Sequence, residues 1–290
     1  MARRITIIGL GLIGGSIGLA LKKAGPEAVE LVGYARRMET AERARQMGAI
    51  DRVEGSLPSA VGNADLVVLA TPTMSIKEIL PQIGPHLPDG CAVTDVASTK
   101  VDVMRWAEES LPQNVSFVGG HPMAGKELSG IEAADGDLFK GCTYCVVPGR
   151  NASEAAMAEV IDLAHRIGAR HVLLDAAEHD WLVAGISHLP LILASALVMA
   201  TTQSPQWSKM SALAATGYQS ATRLASQHPR MNRDICFTNR SNIIAWIDEF
   251  ARELERFRRL VAERDVSLEE AFEKARQART AWIEEHGKKS

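Results

Sequence analysis

Along the first half of the chain, short β-branched runs alternate with stretches in which apolar residues recur every three or four positions. The runs at 4–8, 30–34, 66–70, 92–96, 115–118, 143–147 and 171–174 predict strands, and 12–24, 40–47 and 74–83 predict helices between them. Strands alternating with helices imply an α/β fold with a doubly wound parallel sheet. The character changes near Pro148-Gly149-Arg150, and after 171–174 only helical periods follow. Ile243, Ile247, Phe250, Leu254, Phe257 and Val261 recur at spacings of 4, 3, 4, 3 and 4. A seam this regular is expected to be core or a subunit interface. The chain therefore divides, on this reading, into an α/β domain over 1–175 and an all-α domain over 176–290.

Residues 181–208 hold no Asp, Glu, Lys or Arg, which is long enough to span a bilayer. The same run carries His188, Pro190, Gln203 and many hydroxyl side chains, all costly in lipid. It is expected to be a helix buried inside the helical domain, and no membrane is expected as a partner.

The first strand runs into Gly9-Leu-Gly11-Leu-Ile-Gly14 and then a helix. A G-x-G-x-x-G turn between strand and helix at the start of a βαβ unit is the dinucleotide-binding pattern of a Rossmann domain. Gly9 would permit the tight turn, Gly11 would let a pyrophosphate approach, and Gly14 would let helix and strand pack closely. The helix start at Leu12 and Ile13 would offer free N–H groups to the phosphates. Thr71, at the end of the 66–70 strand, is expected to line the same crevice. An NAD site commonly places an acid about 20 residues beyond the glycines. Here Ala35 is followed by Arg36 and Arg37. Two guanidinium groups suit a 2′-phosphate, so NADP is the expected cofactor and NAD the weaker alternative.

Polar residues gather at three predicted strand ends: Thr71-Pro72-Thr73, Asp95-Val-Ala-Ser98-Thr-Lys100, and Gly119-Gly-His121-Pro-Met-Ala-Gly125-Lys-Glu127. Ligands of open parallel sheets bind beyond these ends. A neutral imidazole there can accept a hydroxyl proton as hydride leaves the same carbon, which singles out His121. The stretch Gly119–Gly125, with Glu127 and Gly130, resembles the signature of the prephenate/arogenate (cyclohexadienyl) dehydrogenase family of tyrosine biosynthesis. The resemblance extends to the glycine loop, the Asp95–Lys100 segment, Ile186-Ser-His188-Leu-Pro190, Ala221-Thr-Arg223-Leu-Ala225 and Arg233-Asp-Ile235.

The resemblance implies a Rossmann domain joined to a helical domain that completes the substrate site and forms a homodimer. It implies an NAD(P)-dependent oxidative decarboxylation of prephenate or arogenate, to 4-hydroxyphenylpyruvate or tyrosine. His121 would take the proton of the ring hydroxyl, and Ser98 would hold that histidine or the same hydroxyl. Arg223 and His188 would bind substrate carboxylates, and Glu127 would organise the pocket. Ala97 stands where many relatives have glycine. Ser220 replaces an aspartate found in some, which argues against an ionic gate over the pocket. A fused mutase or regulatory domain is not expected, and the chain would be monofunctional.

Composition narrows the alternatives. The 32 Lys+Arg against 35 Asp+Glu give a net charge of -3 over 290 residues, which argues against nucleic acid as partner. Four scattered cysteines suit a reducing cytoplasm, and no signal or transit segment is expected before the first strand. Cys142-Thr-Tyr-Cys145 lies where a strand is predicted, so its sulfurs would diverge, and no metal is expected. Two other readings share the glycine loop. One is another two-domain NADP oxidoreductase of the β-hydroxyacid dehydrogenase or imine reductase type, though the second-domain lysine it usually relies on has no clear counterpart here. The other is a non-catalytic NADP sensor, which would leave His121, Ser98 and Arg223 converging on nothing.

Overall fold

The computed structural model describes residues 3–25, 29–126 and 128–286. The chain forms two compact units, Met1–Asn242 and Ile243–Ser290. The first is built on an eight-stranded sheet of β1 (Arg3–Ile8), β2 (Val29–Tyr34), β3 (Arg52–Val53), β4 (Leu66–Leu69), β5 (Ala92–Asp95), β6 (Ser116–Pro122), β7 (Thr143–Pro148) and β8 (Arg170–Leu173). Their order is β3-β2-β1-β4-β5-β6-β7-β8.

The pleat sorts the strand residues onto two faces. Ile5, Ile7, Leu66 and Val68 pack on one side with Ile17 and Leu21 of α1 (Leu12–Lys23), Ala41 of α2 (Met38–Gln46) and Val160 of α6 (Glu154–Arg166). Ile8, Val67, Leu69 and Val93 pack on the other. There they meet Val61 of α3 (Leu57–Val61), Ile76 and Leu80 of α4 (Thr73–Ile83), and Val103 and Trp106 of α5 (Val101–Ser110). Each fully buried aliphatic side chain contributes about 1.5–3 kcal/mol, so two continuous cores hold the sheet between its helices.

The sheet is not wholly parallel. β1 through β6 run parallel, whereas β7 is antiparallel to β6 and carries β8 parallel to itself. A parallel return needs a crossover, usually a helix. Among the described residues the β6–β7 connection holds only the 3-10 turn Ile131–Ala133, so the chain comes back beside β6 in the opposite sense. The antiparallel pairing runs from Val118↔Pro148 to Pro122↔Tyr144 and lengthens β6 past its parallel neighbour. His121 therefore lies within a strand, where the sequence placed it just after one.

Strand content ends at β8, and helices follow: α7 (Ala176–Val183), α8 (Leu189–Thr202), α9 (Trp207–Leu213), α10 (Thr216–Thr222), α11 (Pro229–Thr238) and the start of α12 (Arg240–Glu263). Between α7 and α8 sits one wide π-helical turn, Ala184–His188, closed by the N–H of Leu189 donating to the carbonyl of Ala184. The helix formed by 176–202 is long and apolar enough to cross a membrane, and one third of its most apolar window is buried. The expected burial thus holds for part of the helix only. Leu189, Leu191 and Ala194 in the first turns of α8 are buried, whereas Leu197 and Met199 toward its end, and Ile186 in the preceding turn, are exposed.

The second unit pairs the body of α12 with α13 (Ser267–His286), where the Phe257 and Phe272 rings meet at 5.4 Å. Phe250, Leu254 and Val261 of the seam are exposed in the single chain.

Candidate active site

The glycine turn is shaped by close approach. Gly9 has φ +98°, a conformation that costs most residues dearly, and a Cβ there would lie 2.5 Å from the Ala70 carbonyl oxygen. A Cβ on Gly14 would sit 1.9 Å from the carbonyl oxygen of Gly9, so α1 can start this close to the turn only with glycine. Gly11, by contrast, faces open space. The Gly9 N–H donates to Tyr34 O at 2.9 Å, which ties the turn to the end of β2. Arg36 and Arg37 follow at once, both exposed, with Arg37 as the residue preceding α2.

Two further observations test the fit to a dinucleotide. No side chain caps the start of α1, which leaves the N–H groups at Leu12, Ile13 and Gly14 without a side-chain acceptor. The Thr71 hydroxyl, whose methyl borders Gly9, is buried without a hydrogen-bond partner. An open glycine, an uncapped helix start and an orphaned hydroxyl fit a bound phosphate-bearing ligand.

Beside this crevice lies a buried polar cluster. Asp95 and Lys100 are both 0% exposed and paired through Oδ2 and Nζ. Asp95 also accepts from the Ala97 N–H at 2.8 Å and the Gly120 N–H at 3.1 Å, so β5, its following loop and β6 meet on one carboxylate. One residue on, His121 Nδ1 lies 2.9 Å from His179 Nε2. His179 Nδ1 lies 2.8 Å from Asp180 Oδ1, and both residues are buried. Asp180 then takes the first N–H groups of α5, from Lys100 at 2.7 Å and Val101 at 2.9 Å. Those groups have no partner within the helix, and the positive end of its dipole favours the carboxylate.

The Asn239 side-chain amide closes the cluster. It donates to the Asp180 carbonyl at 2.7 Å and lies 3.2 Å from His188 Nδ1. His188 Nε2 is buried without a partner. The π turn explains how His188 gets there. The extra residue in that turn rotates everything after it by roughly 100° relative to a regular helix, and His188 is its last residue.

Burial holds both site histidines neutral. His121 is pushed well below 6.5, first by burial and then by the neighbouring His179, Lys100 and His188. His188 is lowered to about 4, again first by burial, while the Asp180 carboxylate and the Ser98 backbone oppose the shift. His188 would therefore bind a carboxylate through an N–H rather than through charge.

The expected residues fall into distinct places. His121, His188 and the Ser98 segment come together in this cluster. Ser98 is half-buried, but the partner of His121 Nδ1 is His179. Arg223 opens the 3-10 turn Arg223–Ser226, is exposed, and sits on an element packed against α8, the helix that His188 leads into. Glu127 lies outside the described residues. Asp95 and Lys100 belong to a strand-end segment the sequence singles out but carried no role of their own there, and His179, Asp180 and Asn239 were assigned none.

Residues 17–173 match the family model described as prephenate dehydrogenase, nucleotide-binding domain, and residues 175–274 match that described as prephenate dehydrogenase, dimerization domain. The chain belongs to the prephenate dehydrogenase family. A prephenate dehydrogenase of Bacillus subtilis is 38% identical over 269 residues, covering 91% of this chain and 72% of that protein. The solved prephenate dehydrogenase of A. aeolicus, in complex with hydroxyphenyl propionate and NAD+, superposes with a TM-score of 0.89 at 27% identity, covering 97% of this chain and 98% of the other. The arogenate dehydrogenase of Synechocystis superposes at 0.82 and 26% identity, covering 97% and 100%. The chain is thus an oxidoreductase of the prephenate/arogenate class, and its first unit carries the family's nucleotide-binding domain.

Lowered histidine pKa values make stability pH-dependent. The unfolded chain binds protons near 6.5 where the native cluster refuses them, so stability is full above about 6.5 and is lost as pH falls toward 4. His188 alone accounts for roughly 3 kcal/mol across that window. Thermal melts from pH 8 to pH 4 should show Tm falling by about 5–10 °C, with a shallower slope in His188→Gln. A slope unchanged in that variant would mean that His188 is not buried neutral.

Proposed function

We propose that this chain oxidatively decarboxylates prephenate or arogenate, with NADP as its preferred cofactor and His121 as the proton acceptor. The observation that carries the reading is the buried His121 ring, which is held uncharged with Nδ1 already engaged. Its Nε2 is then the nitrogen left for the substrate hydroxyl. The bound nicotinamide supplies the hydride acceptor. As the carbinol carbon is oxidised, His121 Nε2 takes the hydroxyl proton. The electrons of the breaking carbon–carboxylate bond enter the ring as carbon dioxide leaves, and His121 returns the proton to the phenolate oxygen. Ser98 would orient the hydroxyl, Arg223 and His188 would hold the two substrate carboxylates, and Glu127 would border the pocket.

The NADP reading rests on Arg36 and Arg37, exposed at the end of β2 beside the glycine turn, with no acid among Tyr34, Ala35 and the arginines. We further propose a cytoplasmic homodimer, with residues 1–175 as the nucleotide domain and 176–290 as the substrate and dimer domain. Exposed Phe250, Leu254, Val261 and Phe272 on α12 and α13 support the dimer, since a second copy would remove them from water. All four cysteines are free, which suits a reducing compartment.

Replacing His121 with Gln should lower kcat by roughly 10²–10⁴ with cofactor affinity nearly unchanged. In the unmodified enzyme the acid limb of kcat should fall well below pH 6.5, because the ring must lose its proton to work and its surroundings already favour the neutral form. Full activity in His121→Gln, measured at 340 nm, would remove this residue from the mechanism.

The Arg36→Asp variant should weaken NADP by about 10- to 150-fold and NAD far less, as one charged hydrogen bond contributes roughly 1.5–3 kcal/mol. Equal loss for both cofactors would overturn the preference.

For Arg223→Ala, KM for prephenate or arogenate should rise roughly 10- to 100-fold, and Arg223→Lys should recover only part of it. A lower Tm with unchanged KM would mark the arginine as structural instead.

A further inference from the structure

His179 is wholly buried, polar, and lies between the reactive histidine and a carboxylate that is itself fixed by a helix start. We propose that His179 and Asp180 are positioning residues that set the tautomer of His121, so that its Nδ1 carries the hydrogen and its Nε2 presents a lone pair to the substrate. The proposal rests on the reading of His121 as proton acceptor and adds how that nitrogen is kept bare.

Lys100 N–H and Val101 N–H can only donate, so Asp180 must accept on both oxygens. Oδ1, at 2.8 Å from His179 Nδ1, is an acceptor there too, so that nitrogen carries a hydrogen. In a neutral ring the other nitrogen is then an acceptor. His179 Nε2 faces His121 Nδ1 at 2.9 Å and takes its N–H. A neutral His121 with hydrogen on Nδ1 has none on Nε2. Three successive links, from the two backbone amides to Asp180, from Asp180 to His179 and from His179 to His121, thus carry a fixed polarity to the reacting nitrogen.

The same chain serves the charged stage. When His121 Nε2 gains the substrate proton, its Nδ1–H already donates to His179, and Asp180 supplies negative charge two rings away. The remaining groups facing His121 do not supply an alternative partner for Nδ1. Lys100 is committed to Asp95, and His188 Nδ1 faces Asn239. The ring planes of His121 and His179 are inclined at 68° with centroids 5.1 Å apart, an edge-on contact that suits a nitrogen-to-nitrogen hydrogen bond rather than stacking.

Three measurements test this. In the unmodified protein at pH 7.5, ¹⁵N-histidine NMR should show His121 protonated at Nδ1 and bare at Nε2; the opposite tautomer would overturn the proposal outright. His179→Leu removes the acceptor and should lower kcat roughly 100-fold or more, with KM and NADP affinity little changed. His179→Gln keeps an acceptor oxygen and should recover kcat to within about 10-fold of the parent. In Asp180→Asn the amide can turn a donor toward His179, inverting the relay, and kcat should fall roughly 10³- to 10⁴-fold. The acid limb of kcat should also shift in each variant, since His179 acts on His121 beside Lys100 and His188, and each substitution alters that ring or the carboxylate that holds it. A merely structural pair would lower Tm in all three variants while leaving kcat and its pH profile unchanged in the folded fraction. If His121→Gln is inactive but Leu and Gln at 179 behave alike, the positioning role fails while the proton-acceptor reading stands. If His121→Gln is fully active, the reading beneath it fails first.

Discussion

Asp95 has no contact with solvent, and the active edge of the sheet is organised by the need to satisfy it. An unpaired buried charge costs several kcal/mol, and removing one partner of a buried pair typically costs 3–5 kcal/mol. Asp95 meets that demand with one ammonium and two backbone N–H groups, from Lys100, Ala97 and Gly120. The third contact fixes β6 immediately before His121. Gly120 must also lack a side chain, because a Cβ there would sit 2.4 Å from the Tyr144 hydroxyl and 2.5 Å from the Asp95 carbonyl. Lys100 then works twice. Its side chain neutralises Asp95, and its backbone N–H goes to Asp180, so the sheet and α7 are joined through one residue.

What the sequence made legible was local. Ile5, Ile7 and Ile8 announce a strand by their pattern, and Gly9, Gly11 and Gly14 announce a tight turn by their spacing, although the close approach that demands glycine at Gly9 is to Ala70, far along the chain. His121 stands out in the sequence because Gly119, Gly120 and Pro122 surround it. The direction of β7 was not, since it depends on the absence of a crossover helix in a connection whose polar composition reads as ordinary loop. His179 meets His121 across 58 positions. No periodicity links residues that far apart. The burial of Lys100 was not legible either, because lysine is so commonly exposed that a fully buried one gives no sign of itself in composition.

The helical half shows the same division. The seam on α12 could be read from its spacing, and its meaning as core or interface could not, because spacing does not say which chain covers a face. The apolar run at 181–208 reads as a helix buried inside the helical domain, from its lack of charge and from polar residues that lipid would not hold. In the structure Leu189, Leu191 and Ala194, in its first turns, are buried and Leu197 and Met199, in its last, are exposed. Burial changes along the length of this helix, which hydrophobicity averaged over the run does not show.

The π turn at Ala184–His188 makes the position of His188 a matter of counting rather than chemistry. A regular helix would close on the fourth residue back, and here the closing bond reaches the fifth. Substituting the side chains of that turn one at a time would leave the count intact. Deleting any one of its residues would restore regular winding and swing the rest of α8 by about a quarter turn, carrying its inward and outward faces with it. Tolerance to substitution and intolerance to a change of length would then coexist in the same five residues, and relatives that differ there in composition would still be held to one length.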